Sequence, residues 1–188
     1  MLSDAELVRS FRGGDEAALG ELIERYRDRL YAYLRRLAGD AARADDMFQD
    51  TWVKVARNIG AYREESKFSA WLFSVAHNTA MDALRRRRPD SVSLDAASAV
   101  EDGRPLSEVF ASAEPGPEAS YAASESRRAI DAALAELSPD QREVFLLRHY
   151  SGMSFREIAE TLGAPIGTVL ARASRAAAKL REKLAGEI

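Results

Sequence analysis

One predicted helix, residues 68–87, carries a row of hydrogen-bonding side chains that ends in a run of arginines. The row consists of Ser74, Asn78, Met81, Asp82 and Arg85, at spacings that place them on one side of a helix. Hydroxyl, amide and carboxylate groups can bond the edges of bases, and the run Arg85–Arg88 can contact phosphates. Cations at a helix C-terminus also complement the helix dipole. The pattern therefore indicates either a nucleic-acid contact or an ordinary solvated helix end.

Three aromatic residues stand at the start of the same unit, Tyr62, Phe68 and Trp71. Unstacked bases can rest on such rings. Phe68 and Trp71 more often belong to a hydrophobic core at positions of this kind, so both interpretations stay open.

A second candidate for DNA recognition lies between Ser154 and Leu184. Ser154 and Glu157 form a capping-box pattern, Gly163 ends a first helix and Pro165 opens a second. The apolar stripe of the second helix is expected to pack inward: Ile166, Val169, Ala173, Ala176, Leu180 and Leu184. The side chains then left toward solvent or a ligand are Thr168, Leu170, Ala171, Arg172, Ser174, Arg175 and Lys179. A helix-turn-helix that docks its second helix in the major groove has this layout, and a plain helical hairpin is the alternative.

An acidic surface is predicted on the third helix, where Asp45, Asp46, Gln49 and Asp50 lie on the exposed face. Carboxylates do not favour DNA, but they suit a basic protein partner. A solvated helix face is the structural alternative.

The sequence offers no catalytic constellation. It contains no cysteine and only two histidines, which excludes thiolate or histidine-rich metal sites and a cysteine nucleophile. Glycine-rich phosphate loops and nucleophile elbows are missing as well. We expect no enzymatic activity, cofactor or metal. No apolar run is long enough to insert in a membrane and the N-terminus does not resemble a signal peptide, so a cytoplasmic location is expected.

Helical periodicity and capping signals predict an all-α protein of two small bundles. Four helices are expected before residue 88: Ser3 to Gly13, Asp15 to Gly39, Asp40 to Ile59 and Phe68 to Arg87. Four more follow: Ser126–Leu137, Ser138–Tyr150, Phe155–Leu162 and Pro165–Leu184. Residues 1–88 and 126–188 each carry a net charge of +2, whereas residues 89–125 hold eight Asp/Glu and one Arg. We therefore predict an acidic flexible linker, residues 89–125, between the domains 1–88 and 126–188.

These blocks, in this order, resemble the extracytoplasmic-function sigma factors, which are bacterial transcription initiation factors of the sigma-70 family. The segments that carry the resemblance are FRGGDEAALGELIERYRDRLYAYLRRL, ARADDMFQDTWVKVARN, FSAWLFSVAHNTAMDALRRRR and LSPDQREVFLLRHYSGMSFREIAETLGAPIGTVLARASRA. The resemblance implies that residues 1–88 are sigma region 2 and that residues 126–188 are sigma region 4. It also implies the partners: core RNA polymerase, through its beta-prime clamp and beta flap, promoter DNA, and an anti-sigma factor.

The same resemblance assigns roles to individual residues. Those implied at the −10 element are Tyr62, Arg63, Lys67, Trp71, Ser74, Asn78, Asp82, Arg85 and Arg86, with Asn78 facing a flipped base. Those implied at the −35 element are Thr168, Leu170, Ala171, Arg172, Ser174, Arg175 and Lys179. The acidic surface of Asp45, Asp46, Gln49 and Asp50 would grip the beta-prime clamp.

One departure from the family pattern concerns the −35 helix. Members usually carry Lys or Arg followed by Ser where this chain has Leu170 and Ala171. Apolar side chains can meet thymine methyl groups but cannot donate to guanine, so we expect an unusual or weaker −35 contact. The alternative functions are a helix-turn-helix regulator that acts without polymerase and a helical adaptor that binds no DNA.

Overall fold

The computed structural model describes residues 2–64, 67–86 and 128–185. The predicted linker, residues 89–125, lies outside the described residues, and so do Arg87, Arg88 and the predicted helix start at Ser126. The regular structure within the described residues is entirely helical, which confirms the predicted all-α class.

Eight α-helices follow one another within residues 2–64, 67–86 and 128–185. The first four are α1 (Asp4–Arg12), α2 (Glu16–Ala38), α3 (Ala41–Asn58) and α4 (Phe68–Arg86), with a 3₁₀ turn at Ile59–Ala61 after α3. Helix α5 is described over residues 128–135. It is followed by α6 (Pro139–Ser151), α7 (Phe155–Leu162) and α8 (Ile166–Ala185). The predicted helix ends agree with these bounds to within about two residues wherever the chain is described.

Local capping explains why the helices begin and end where they do. Ser3, Ser138 and Ser154 each open a helix with a reciprocal capping box, in which the hydroxyl accepts from the third helical N–H. Gly39 and Gly163 end α2 and α7 with φ of 73° and 60°, a left-handed conformation that suits glycine. These signals are local, so the sequence alone is enough to place them.

Each bundle encloses buried aliphatic and aromatic side chains. In the N-terminal bundle, α2 contributes the buried Leu22, Leu30 and Leu34, and the helix packs against α1, α3 and α4. In the C-terminal bundle the buried set includes Val144, Leu147, Met153, Ile158, Val169 and Ala176. These side chains hold α7 and α8 in a helix-turn-helix arrangement, and they are continuous with the buried side chains of the N-terminal bundle.

The two bundles also pack against each other, because α2 contacts α6 while α4 contacts both α6 and α7. The spacing of apolar residues in α4 predicts one packed side, formed by Phe68, Leu72, Val75, Ala76, Thr79 and Ala83. Because α4 contacts both bundles, it is buried on more sides than this. Phe73 and Ala80 are buried in addition to Leu72 and Ala76, and Val75 is only half-buried.

The expectation for Ile166 was wrong. It was placed in the inward stripe of the last helix, but 47% of its surface is exposed. Ile166 is the first residue of α8, where the helix leaves the turn and the neighbouring helices of the bundle do not cover it. The rest of the stripe is confirmed, since Val169, Ala176 and Leu180 are buried and Ala173 and Leu184 are half-buried.

Candidate nucleic-acid interface

The α4 stripe, formed by Ser74, Asn78, Met81, Asp82 and Arg85, lies along one side of that helix. Asn78 is exposed, and its side-chain amide makes no hydrogen bond within the described residues. Both the donor and the acceptor of this amide are therefore available for a base edge. At the C-terminal end, the Asp82 carboxylate lies 3.6 Å from Lys54 Nζ and 3.5 Å from Arg85 Nη1. Arg86 is exposed beside it and donates to the Asp82 carbonyl.

The N-terminal end of the α4 stripe meets the other bundle. Ser74 is half-buried, its hydroxyl donates to the Ala70 carbonyl, and Ser74 Oγ lies 2.9 Å from Thr161 Oγ1 of α7. The structure thus keeps Asn78, Asp82 and Arg85 together at the surface but turns Ser74 toward the helix-turn-helix.

Hydrogen bonds from Arg12 fix the backbone that leads from the end of α3 into the loop before α4. Arg12 of α1 donates to the carbonyls of Ile59 and Tyr62, at 2.7 Å and 2.6 Å from its Nη2. The ring of Tyr62 is only 4% exposed and packs against Phe68 and Trp71, with ring centroids 5.5 Å and 5.6 Å away.

This packing favours the core interpretation for Tyr62 and Phe68. Tyr62 and Phe68 belong to the core and Trp71 is half-buried beside them, whereas Arg63 and Lys67 are exposed on the loop. The role of Arg12 was missed from the sequence, because nothing local connects α1 with a loop some fifty residues later.

On the side of α8 that is predicted to face DNA, five side chains are exposed and two are bonded to other parts of the C-terminal bundle. Thr168, Leu170, Ala171, Ser174 and Arg175 are exposed. Arg172, in contrast, is ion-paired with Asp140 at the start of α6, and Lys179 Nζ donates to the Glu136 carbonyl at 2.5 Å. The free surface therefore combines an exposed Leu170 with the cation of Arg175.

The acidic surface on α3 is present as a continuous patch. Asp46, Gln49 and Asp50 are exposed and Asp45 is half-buried. Val53 adds an apolar side chain with 47% of its surface exposed, one turn after Gln49. The sequence analysis missed Val53, although its spacing from Asp46 and Gln49 places it on the same face.

A buried polar cluster joins the two bundles and was also missed. His77 of α4 is 5% exposed; its Nδ1 lies 3.3 Å from the Tyr33 hydroxyl and its Nε2 lies 3.4 Å from Glu143 Oε1 of α6. Burial lowers the pKa of His77 to about 4, so the ring is neutral near pH 7. Burial raises the pKa of Glu143, and the nearby Asp140 adds to this effect. A neutral ring protonated on Nε2 accepts from Tyr33 and donates to Glu143.

The described residues contain neither a metal-binding cluster nor a helix that could span a membrane. Within residues 2–64, 67–86 and 128–185, no three His, Cys, Asp or Glu side chains cluster closely enough to hold a metal ion. No helix in this part of the chain has the length and apolar character required to cross a bilayer.

Comparison with protein families gives two matches in chain order. Residues 22–89 match Sigma-70 region 2, and residues 127–180 match Sigma-70 region 4. The first covers most of the N-terminal bundle with the α4 stripe, and the second covers the helix-turn-helix.

Individual relatives match over nearly their whole length. RNA polymerase sigma factor CarQ of Myxococcus xanthus is 36% identical over 182 residues, 96% of this chain and 97% of the relative. The ECF RNA polymerase sigma-E factor of Escherichia coli K12 is 32% identical, over 97% of this chain and 95% of the relative.

Two solved structures of similar proteins also match most of this chain. CnrH in complex with the cytosolic domain of CnrY is 26% identical, with a TM-score of 0.66 over 98% of this chain and 99% of that one. The sigma factor RpoE in complex with the anti-sigma factor NepR from Bartonella quintana is also 26% identical, with a TM-score of 0.64 over 88% and 95% of the two chains.

Proposed function

This chain belongs to the extracytoplasmic-function sigma factors of the sigma-70 family, and we propose that three of its surfaces divide the work of promoter-specific initiation. The α4 stripe contacts the −10 element, α8 contacts the −35 element, and the acidic patch on α3 binds the beta-prime clamp of core RNA polymerase. Residues 1–88 and 126–188 act as the two DNA-binding domains, with residues 89–125 as the acidic linker.

The observation that carries the −10 assignment is the exposed amide of Asn78, which makes no hydrogen bond within the described residues, on a helix whose last turn carries the cations Arg85 and Arg86. Flipping a base from a duplex costs a few kcal/mol, and hydrogen bonds to its Watson–Crick edge offset that cost. In our proposal Asn78 supplies those bonds, while Arg63, Lys67 and the arginines at the end of α4 contact the adjacent backbone. Because Tyr62 is buried, its proposed role is to support Trp71, against which its ring packs.

At the −35 element we propose that Thr168, Leu170, Ala171 and Ser174 enter the major groove. Leu170 and Ala171 would meet thymine methyl groups there, because neither side chain can donate a hydrogen bond to guanine. Arg172, Arg175 and Lys179 would contact phosphates. The free surface of α8 supports this proposal, since it is mainly apolar and small with Arg175 as its exposed cation.

The remaining partners and the location follow the family. Sigma factors recognise DNA without catalysing a reaction of their own, and we propose that promoter opening here is likewise driven by binding energy. RpoE of Bartonella quintana is bound by an anti-sigma factor, and we propose an anti-sigma partner for this chain too. We further propose that it acts in the cytoplasm, with the beta flap of polymerase receiving the C-terminal bundle.

Run-off transcription with purified core polymerase tests the function. A sigma factor confers initiation at defined start sites, and the start sites should depend on both −10 and −35 sequences. A helix-turn-helix regulator would bind duplex DNA but direct no initiation without another sigma factor. An adaptor would bind no DNA even at low salt, whereas phosphate contacts predict binding that weakens steeply as salt rises.

A further inference from the structure

A cleft of about 310 Å³ is lined by the end of α2 and by residues of α5 and α6. Clefts of roughly 300–1,000 Å³ hold small molecules in many proteins. Three arginines line this one, Arg35 and Arg36 from the last turn of α2 and Arg142 from α6. Among the lining residues that the structure describes, Asp131 is the only acidic one. The cleft is therefore locally cationic in a chain whose net charge is −3.

We propose that this arginine cleft binds the pyrophosphate group of a small molecule, which is either inorganic pyrophosphate or a nucleoside diphosphate. The planar fork of a guanidinium group matches phosphate oxygens in both geometry and charge. A pyrophosphate group fits three arginines better than a single phosphate does, because it carries more charge and more acceptor oxygens. The cleft shares no residue with the α4 stripe, with the exposed side of α8 or with the acidic patch on α3, so the proposal goes beyond the proposed function and does not depend on it.

Arg36 is held in place but is incompletely satisfied. Its Nε is buried and makes no hydrogen bond within the described residues. Asp131 Oδ1 lies 3.0 Å from this nitrogen, so the two charges attract, but the direction of the N–H does not give a hydrogen bond. The guanidinium also lies 5.7 Å from the centre of the Tyr150 ring, a cation–π distance that restricts its movement. A buried donor without an acceptor is unfavourable, and a ligand oxygen that displaces the 57% exposed Asp131 side chain would supply that acceptor.

The other two arginines differ in how firmly they are held. Arg142 is fixed at the end of α5, where its Nε and Nη2 donate to the carbonyls of Leu134 and Ala135, both at 2.9 Å. Its Nη1 makes no hydrogen bond to any part of the chain that the structure describes, so the donors of this nitrogen remain available. Arg35 is exposed, and its guanidinium forms neither a hydrogen bond nor an ion pair with the described residues. A ligand would thus meet two guanidinium groups held in position and a third that can close over it.

A DNA backbone is the other source of phosphate that this chain could meet, but the shape of the cleft disfavours it. The Arg36 side chain is only 20% exposed. A duplex presents its phosphates on a broad, convex surface, which can reach exposed cations but not a guanidinium recessed between helices. A small molecule can enter such a site, so the structure favours a small ligand over a nucleic acid.

Isothermal titration calorimetry on the full chain tests the site directly. Inorganic pyrophosphate and adenosine diphosphate are compared with inorganic phosphate and adenosine monophosphate, in magnesium-free buffer with about 0.15 M salt to screen weak surface binding. We expect at least one of the two pyrophosphate-bearing ligands to bind with a Kd below about 1 mM, and at least tenfold more tightly than its monophosphate counterpart. Equal affinity for both would show that the pyrophosphate group alone is recognised, whereas tighter binding of the nucleotide would identify the nucleoside diphosphate as the ligand.

Arg35→Ala removes one of the three arginines without removing a hydrogen bond or an ion pair that the structure describes. It should weaken binding of the pyrophosphate-bearing ligand at least about fivefold, because the lost hydrogen bonds are charge-assisted. Thermal unfolding without ligand checks that the fold is retained. Arg57→Ala removes an exposed cation of α3 as the charge-matched control and should leave the affinity unchanged.

Asp131→Asn changes the site in the opposite direction. It removes the carboxylate that competes with the ligand for Arg36, so the pyrophosphate-bearing ligand should bind about two- to fivefold more tightly. Glu160→Gln removes the same charge from an exposed position of α7 outside the cleft and should have no such effect.

Four outcomes would overturn the proposal: no saturable binding of either pyrophosphate-bearing ligand up to about 10 mM, monophosphates that bind as tightly, Arg35→Ala that binds like Arg57→Ala, or Asp131→Asn that binds no more tightly than Glu160→Gln. A loss of promoter-duplex affinity in Arg35→Ala, with pyrophosphate binding unaffected, would instead assign the cleft to DNA. All these measurements use the chain without polymerase, so their failure leaves the proposed role in initiation untouched, and a failure of run-off transcription leaves the ligand site untouched.

Discussion

Replacing Asn78 with alanine is expected to impair promoter melting without disturbing the fold. The side chain is exposed and makes no hydrogen bond within the described residues, so the substitution removes no such bond from the folded chain. Substitutions at such positions change the free energy of unfolding by less than about 0.5 kcal/mol. Any large effect on DNA must then come from a contact that forms only in the complex.

The size of that effect follows from the chemistry of the amide. It can make up to two hydrogen bonds to the edge of a flipped base, each contributing about 0.5–1.5 kcal/mol. Their loss costs about 1–3 kcal/mol, which corresponds to roughly a 5- to 150-fold weaker open complex. A fluorescent base analogue in the −10 element reports melting, and run-off transcripts from altered −10 sequences should show relaxed preference.

The matched control is Asn58→Ala, at the only other asparagine of the chain. Asn58 is exposed at the end of α3, and its amide donates to the Lys54 carbonyl of the same helix. The control should leave melting unchanged. The reasoning fails if Asn78→Ala melts promoters normally, or if it loses core-polymerase affinity as strongly as it loses melting.

Three further outcomes are expected. Replacing Asp46 and Asp50 together with alanine should weaken binding to core polymerase roughly fivefold or more in fluorescence anisotropy, because exposed charges steer and orient association, with thermal stability unchanged. Gly163→Ala should lower the free energy of unfolding by about 1–2 kcal/mol in urea titrations, because φ is 60° there. In wild type, stability should fall as pH drops from 6.5 toward 4, by up to roughly 3 kcal/mol, because the unfolded state protonates His77 first. The raised pKa of Glu143 offsets part of that loss. In urea titrations across this pH range, the His77→Gln variant should not show the loss of stability that comes from His77.

Helix boundaries were predictable because the signals that set them are local. Ser154 with Glu157, and Gly163 with Pro165, define a helix-turn-helix within a dozen residues. Most of the exposed residues of α3 and of α8 followed from periodicity in the same way, although Val53 was missed and Ile166 was misplaced.

The contact between the bundles could not be predicted from local signals. Helix α4 packs on several sides, so a single stripe pattern misplaced Phe73 and Ala80, and a lone His77 in an apolar run does not reveal which helix will face it. Glu143 lies 66 positions further along the chain. Ile166 was misplaced because its spacing fits the inward stripe of α8. No neighbouring helix covers the first residue of α8, however, so the side chain is exposed.

Two of the cations proposed to bind DNA are paired with carboxylates within the protein, and this changes what salt dependence should report. Arg172 is paired with Asp140, and Arg85 is paired with Asp82. A cation that leaves a carboxylate for a phosphate gains less than one that leaves water. The number of contacted phosphates inferred from the salt slope should therefore fall below the number of cations on these surfaces.

Removing one carboxylate tests this exchange directly. Asp140→Asn frees Arg172, and because an exposed ion pair contributes about 0.2–1 kcal/mol, affinity for −35 duplex should rise about 1.5- to fivefold. Glu160→Gln removes the same charge from an exposed position of α7 that forms no ion pair within the described residues. If both variants bind equally well, the gain comes from reduced overall repulsion, and the Asp140 pairing plays no part in holding Arg172 away from DNA.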